Sequence, residues 1–185
     1  MKAIAFTGMP WAGKTEAVSV AKELGLPVIR MGDMVWEEVK RKGLTVNNEN
    51  VSRVAEEMRK IHGRDIWAKK TLKKIKGGDF GEVIVIDGVR SLEEVKCFKS
   101  FFNKNFTIIA ITAPEEVRRK RAVNRRRIDD TRDLEEIKKR EEREKKWGVL
   151  EVVENADYII SNEGDLETFR TSIEVLLRKL IRDKF

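Results

Sequence analysis

Gly8-Met9-Pro10-Trp11-Ala12-Gly13-Lys14-Thr15 is the stretch of this chain whose residue types and spacing most clearly imply chemistry. It satisfies the pattern G-x-x-x-x-G-K-[ST], and it lies between an apolar run and a helical pattern. Glycine reaches backbone conformations that turn successive N–H groups inward, so such a loop on a helix N-terminus makes a concave anion site. Lys14 is then placed to reach β- and γ-phosphates, and the Thr15 hydroxyl to ligate a magnesium ion. All eight residues are expected to contact a nucleoside triphosphate. The chain has no Asn/Thr-Lys-x-Asp stretch of the kind that reads guanine, which favours ATP.

Two further sets of side chains could serve the same ligand. Val83-Ile84-Val85-Ile86-Asp87 ends an apolar run on a carboxylate, which could hold the magnesium ion through a water. The run Arg118 to Arg127 is strongly basic, and on a helix Arg118, Arg121 and Arg125 share one face at spacings of three and four. Phosphoryl transfer spreads charge over the equatorial oxygens, so convergent arginines beside a phosphate loop are what it requires. A second reading stays open here. Glu135, Glu136, Glu141, Glu142 and Glu144 could neutralise the basic helix in an antiparallel, solvated pair.

The elements that must position these groups alternate along the chain. Lys2–Thr7, Pro27–Arg30, Glu82–Asp87, Phe106–Thr112 and Asp157–Ser161 read as buried strands with helical patterns between them. The expectation is an α/β fold: a five-stranded parallel sheet with helices on both faces, reached by right-handed crossovers. Ser91 and Asp133 each stand three residues before a Glu, so helices should begin there. Pro114 suits a first helical turn, and Gly25 suits the end of the helix that follows Thr15. The last helix carries Phe169, Ile173, Leu176, Leu177 and Leu180 on one stripe. A single domain spanning 1–185 is expected. Residues 32–78 hold about three helical patterns where one crossover would suffice, and read as an inserted helical subdomain. Residues 118–146 read as a lid region.

Composition sets the surroundings. The net charge of +7 suits a polyanionic ligand, either nucleotide phosphates or nucleic acid. Charged residues make up 38% of the chain, glutamine is absent, and this surface chemistry is of the thermophile type. Cys97 and His62 stand alone, without metal-ligand spacing and without a disulfide partner, which fits a reducing compartment. Met1 to Phe6 run straight into the glycine loop and no apolar run approaches ~18 residues, so a cytoplasmic protein with no membrane partner is expected. Trp36 and Trp11 adjoin the presumptive binding loops and are candidate ligand neighbours, whereas Trp67 and Trp147 read as packing residues.

Three further stretches resemble the adenylate kinase and nucleoside-monophosphate kinase superfamily. Met31-Gly32-Asp33-Met34 resembles the Thr-Gly-Asp-Met that opens the acceptor subdomain, and Asp87-Gly88-Val89-Arg90 resembles Asp-Gly-Phe-Pro-Arg, whose arginine contacts the acceptor phosphate. Ala113-Pro114-Glu115-Glu116-Val117, followed by Arg121 and Arg125, resembles the lid entry whose two arginines grip the transferring phosphates. Arg140-Glu141-Glu142-Arg143 and Trp147-Gly148, before Ala156-Asp157-Tyr158, look most similar to the adenylate-kinase-related, dephospho-CoA-kinase-like P-loop family of archaea. The resemblance implies catalytic roles for Lys14, Arg121, Arg125 and Arg140, with Arg143 a further candidate for phosphate contact. It implies acceptor contacts at Asp33 and Arg90, with Trp36 beside them, and an adenine contact at Asn162. This sequence departs from the pattern at Trp36, where adenylate kinases carry an arginine for the acceptor phosphate, and in a short lid without cysteines. Arg30 or Arg53 could replace that lost charge.

The expected activity is transfer of the ATP γ-phosphate, with Mg2+, to a nucleoside monophosphate or related small phosphate-bearing acceptor. Dephospho-CoA-like chemistry, a nucleotide-dependent ATPase acting on nucleic acid, and a sensor of adenine nucleotides remain alternatives.

Overall fold

The computed structural model describes residues 1–124 and 133–182. Five strands form one sheet: β1 (Lys2–Thr7), β2 (Val28–Arg30), β3 (Val83–Asp87), β4 (Phe106–Thr112) and β5 (Tyr158–Ser161). Every pairing is parallel, and the order across the sheet is β2-β3-β1-β4-β5. The strands expected from the apolar runs are all present. The second, third and fifth each begin one residue later than expected; in the second, Pro27 has no N–H to give, although its carbonyl accepts from Val85 N–H at 2.9 Å.

Alternation along the strands divides the core in two. Ala3, Ala5, Ile84, Ile86 and Ile108 face one layer, built from α2 (Met31–Arg41), α3 (Asn48–His62), α4 (Ile66–Lys76), α5 (Leu92–Phe102) and α8 (Val149–Glu154). Ile4, Phe6, Val85, Ile109 and Ile111 face the other, where α1 (Lys14–Glu23) and α9 (Leu166–Arg182) pack side by side. The apolar stripe of α9 is buried at Phe169, Ile173, Leu177 and Leu180. Trp67, fully buried, is a core residue as expected.

Local signals account for the helix starts. The Ser91 hydroxyl accepts the Glu94 N–H at 3.2 Å and the Asp133 carboxylate accepts the Glu135 N–H at 2.8 Å. Pro114 immediately precedes α6 (Glu115–Asn124), and its carbonyl accepts from Arg118 N–H. Three helices, α2 to α4, lie between β2 and β3. After α7 (Leu134–Trp147) the chain breaks at Gly148, in the left-handed region at φ 102°, before the short α8 that sequence patterning did not predict. Among the described residues no helix is long and apolar enough to cross a membrane.

Candidate phosphate-binding and transfer site

The glycine loop leaves the carboxyl end of β1, the central strand, so it opens over the middle of the sheet. Gly8 and Gly13 lie at φ 138° and 118°, and Trp11 also takes a positive φ of 62°. A Cβ on Gly8 would meet the Ile111 carbonyl oxygen at 2.2 Å, and one on Gly13 would meet Asn162 Nδ2 at 2.1 Å. Space as well as backbone conformation therefore demands glycine at both ends of the loop. Lys14 Nζ donates to the carbonyls of Gly8 and Met9 at 2.6 and 2.9 Å, folding back along the loop. Burial of its ammonium lowers the Lys14 pKa from 10.5 to about 8, despite the opposing charges of Asp87 and Glu144.

Asn162 braces this loop from the far side. It is buried, it donates to the Ala12 carbonyl through Nδ2 at 2.8 Å, and its own N–H is held by Thr112. Arg121 Nη2 donates to the Asn162 carbonyl at 3.0 Å and to its Oδ1 at 3.3 Å. Asn162 thus holds the phosphate loop in shape. Its side chain also borders the cavity described next.

A cavity of about 580 Å³ joins the loop to two other walls, a size suited to small-molecule ligands. Pro10, Trp11, Gly13, Lys14 and Thr15 line the loop side, with Asp87 and Arg90 beside them at the end of β3. The end of β2 contributes Arg30, α2 and α3 contribute Trp36, Val51 and Arg59, and the lid helices contribute Arg121, Arg140, Arg143, Glu144 and Trp147. Arg140 lies over the Trp11 ring at 5.2 Å, so these two sequence candidates meet. Arg30 lies over Trp36 at 5.7 Å, and its Nε is 3.8 Å from Asp87 Oδ2. That arginine is brought to the cavity where the family's usual arginine is absent. Arg53 is not, and pairs instead with Glu57 at 3.8 Å on the outside of α3.

Other sequence candidates fall elsewhere. Asp33 does not line the cavity; its partly exposed carboxylate faces Arg30 at 3.7 Å. Arg118, expected on the ligand-facing side with Arg121, is buried against Glu141 and donates through Nε to the Ala113 carbonyl at 3.1 Å. A guanidinium enclosed between α6 and α7 needs a carboxylate, and the acidic helix supplies it. The convergence of three arginines is corrected to that extent, while Arg125 lies outside the described residues. Met9 and Ala12 are buried parts of the loop.

Trp147, Arg59 and Glu144 line the cavity without having been candidates for ligand contact in the sequence. Trp147 carries guanidinium groups from Arg59, Arg90 and Arg143 at 4.2, 5.9 and 5.8 Å from its ring, and its Nε1 donates to Glu56 at 3.1 Å. Arg59 continues the Val51, Ala55 row of α3, an arginine at an apolar position. Glu144 falls between Ile137 and Trp147 on the buried stripe of α7. Charged residues on an otherwise apolar stripe were the available signal.

Asp87 Oδ1 is buried and has no hydrogen-bond partner among the described residues. An orphaned carboxylate oxygen beside Lys14 and Thr15 fits a divalent cation, so Thr15 and Asp87 are the residues that would hold magnesium. Asp87→Asn should weaken ATP binding in magnesium buffer by about tenfold or more. In EDTA its ATP affinity should match wild type, and calorimetric titration in both buffers checks this.

The family described as AAA domain matches residues 7–138. A UPF0200/UPF0201 protein of Archaeoglobus fulgidus is 45% identical over 185 residues, covering 99% of this chain and 57% of that protein. A UPF0200 protein of Methanosarcina acetivorans is 41% identical over 182 residues, covering 98% of this chain and 97% of its own. The chain belongs to the AAA-domain family and to the UPF0200 proteins. The chain therefore spans little more than half of the Archaeoglobus relative and nearly all of the Methanosarcina one. Among solved structures, shikimate kinase from Aquifex aeolicus superposes with a TM-score of 0.55 at 21% identity, covering 98% of this chain and 99% of that one. TT1252 from Thermus thermophilus gives a TM-score of 0.61 at 17% identity, with 97% of both chains covered. These likenesses establish the P-loop kinase fold for this UPF0200 chain.

Proposed function

We propose that this protein is an ATP-dependent phosphotransferase that moves the γ-phosphate to a small phosphate-bearing acceptor of the nucleotide or nucleotide-like kind. The single observation that carries the reading is that one cavity joins the Lys14 loop, the α2–α3 wall and the arginines of the lid helices. ATP lies along Gly8–Thr15, with Lys14 on the β- and γ-phosphates and Arg121, Arg140 and Arg143 placed to neutralise the transferring group. Magnesium, held by Thr15 and Asp87, would screen phosphate charge. Arg90, with Arg30 beside Trp36, receives the acceptor's anionic group. A nucleoside monophosphate and dephospho-CoA are the two acceptor classes that suit these walls.

A nucleic-acid ATPase is less well supported. Along α6, Arg118 pairs with Glu141, Arg119 with Glu115 and Lys120 with Glu116, so these three cations of the basic run are neutralised within the protein. The deciding assay follows ADP release with nucleoside monophosphates and dephospho-CoA in turn. Acceptor-dependent release is expected; hydrolysis that only RNA or DNA stimulates would favour the other reading.

A further inference from the structure

Glu144 is 6% exposed, yet it lines the cavity. Its Oε2 accepts from Arg90 Nε at 2.7 Å, and Oε1 has no hydrogen-bond partner among the described residues. The carboxylate interacts electrostatically with Lys14 as well as Arg90 and Arg140. It is bonded to the arginine proposed to receive the acceptor and lies within electrostatic reach of the lysine proposed to meet the γ-phosphate. Burial alone would raise its pKa, but Arg90, Lys14 and Arg140 outweigh that and hold it ionised below the usual range.

A fixed negative charge at this point discriminates between attacking groups. An acceptor that attacks through a phosphate oxygen would bring like charge against Glu144 in a poorly solvated cavity. A hydroxyl would instead donate its hydrogen to the open oxygen. Asp87 is the other carboxylate here, but it suits the metal, and Asp33 lies off the cavity beside Arg30.

We infer that Glu144 Oε1 receives the proton of an alcohol acceptor, so that this enzyme forms a phosphomonoester and not a phosphoanhydride. The inference rests on the phosphotransferase reading and sharpens it. The acceptor is a hydroxyl compound that also carries an anionic group for the arginines. Its oxygen attacks the γ-phosphorus of ATP and forms the new O–P bond. The bond from that phosphorus to the β,γ-bridging oxygen breaks, and ADP leaves with the electron pair. The hydroxyl proton passes to Glu144 and then to water. With a loose transition state the proton moves late, so a weak base aligned on the hydroxyl is sufficient.

The test uses the whole protein with [γ-³²P]ATP and magnesium, and adenosine, cytidine, guanosine and uridine 5′-monophosphates and dephospho-CoA as probes. Each probe bears hydroxyls and a phosphate, and the ³¹P resonance of the new group tells an ester from an anhydride. Esters are expected. Anhydride products alone would overturn the inference and leave the phosphotransferase reading intact, whereas no transfer to any probe would overturn both. On the active probe, Glu144→Gln should lower kcat by about 10²-fold, a larger effect than its change in ATP Kd, because the amide oxygen still accepts from Arg90 but no longer takes the proton. Glu144→Asp, which keeps the charge and shortens the reach, should lose about tenfold. Unchanged kcat in both variants, or loss in Asp33→Asn instead, would sink the role of Glu144.

Discussion

Lys14→Met is expected to lower phosphoryl transfer by about 10³-fold and yet to make the ligand-free protein more stable at pH 7. The ammonium is the group that meets the β- and γ-phosphates, and methionine keeps its stem while removing the charge. In the free protein that charge is a burden. Burial lowers its pKa from 10.5 to about 8, so the folded state binds fewer protons than the unfolded chain between those two values. Stability must therefore rise with pH across that window, and the penalty of the buried charge is fully present below about pH 8. The side chain keeps some contact with solvent. After discounting for this, the gain on removing the charge is about 1–2 kcal/mol, or roughly 2–8 °C in Tm. Thermal scans of both proteins at pH 7 and pH 10.5 check the sign, since the advantage of Lys14→Met should vanish at the higher pH. ATP should raise the Tm of wild type alone. The same titration predicts that wild-type ATP affinity is flat below pH 7 and falls roughly fivefold from pH 8 to pH 9 as the free lysine loses its proton.

How much of this was legible in the sequence depended on whether a residue's role is local. The phosphate loop is readable because Gly8, Gly13, Lys14 and Thr15 act through their own backbone and neighbouring atoms. The strands are readable because a buried parallel sheet imposes short continuous apolar runs. Asp87 follows from its place at the end of β3, where it pairs with Phe6 of β1, and Arg90 stands three residues beyond it. The brace from Asn162 to Ala12 is not legible, because that contact spans 150 residues and no local pattern encodes it. The places of Arg59, Glu144 and Trp147 are not encoded locally either. Arg59 comes from α3 and Glu144 and Trp147 from one turn of α7, and only the tertiary approach of those helices gathers them round one indole and one guanidinium. Helical spacing correctly put Arg118 and Arg121 on one side of α6. It could not say that α7 would cover the first and leave the second open to the cavity.

That last distinction can be measured. Arg118→Met should destabilise the protein by about 3 kcal/mol, a fall of roughly 6–12 °C in Tm, because it leaves the Glu141 carboxylate buried with only Arg119 at 3.5 Å. The cost is expected to be one of broken pairing and not of lost side-chain volume. Arg118→Met combined with Glu141→Leu removes both charges from the same α6–α7 contact, and a buried ion pair replaced by apolar groups of similar size is often neutral or stabilising. The double variant should therefore return to within about 1 kcal/mol of wild type, so that the two substitutions are strongly non-additive in denaturant titrations. It should also keep kcat and the ATP Kd within a few fold, since neither side chain lines the cavity. If Arg118 instead reached the transferring phosphate, the double variant would recover stability and still lose turnover. Arg121→Met provides the contrast. Its guanidinium lies on Asn162 and the Ala12 carbonyl at the cavity edge, so turnover should suffer there with little change in Tm. Stability and catalysis are thus expected to separate along one helix, within a single turn, according to which wall each arginine faces.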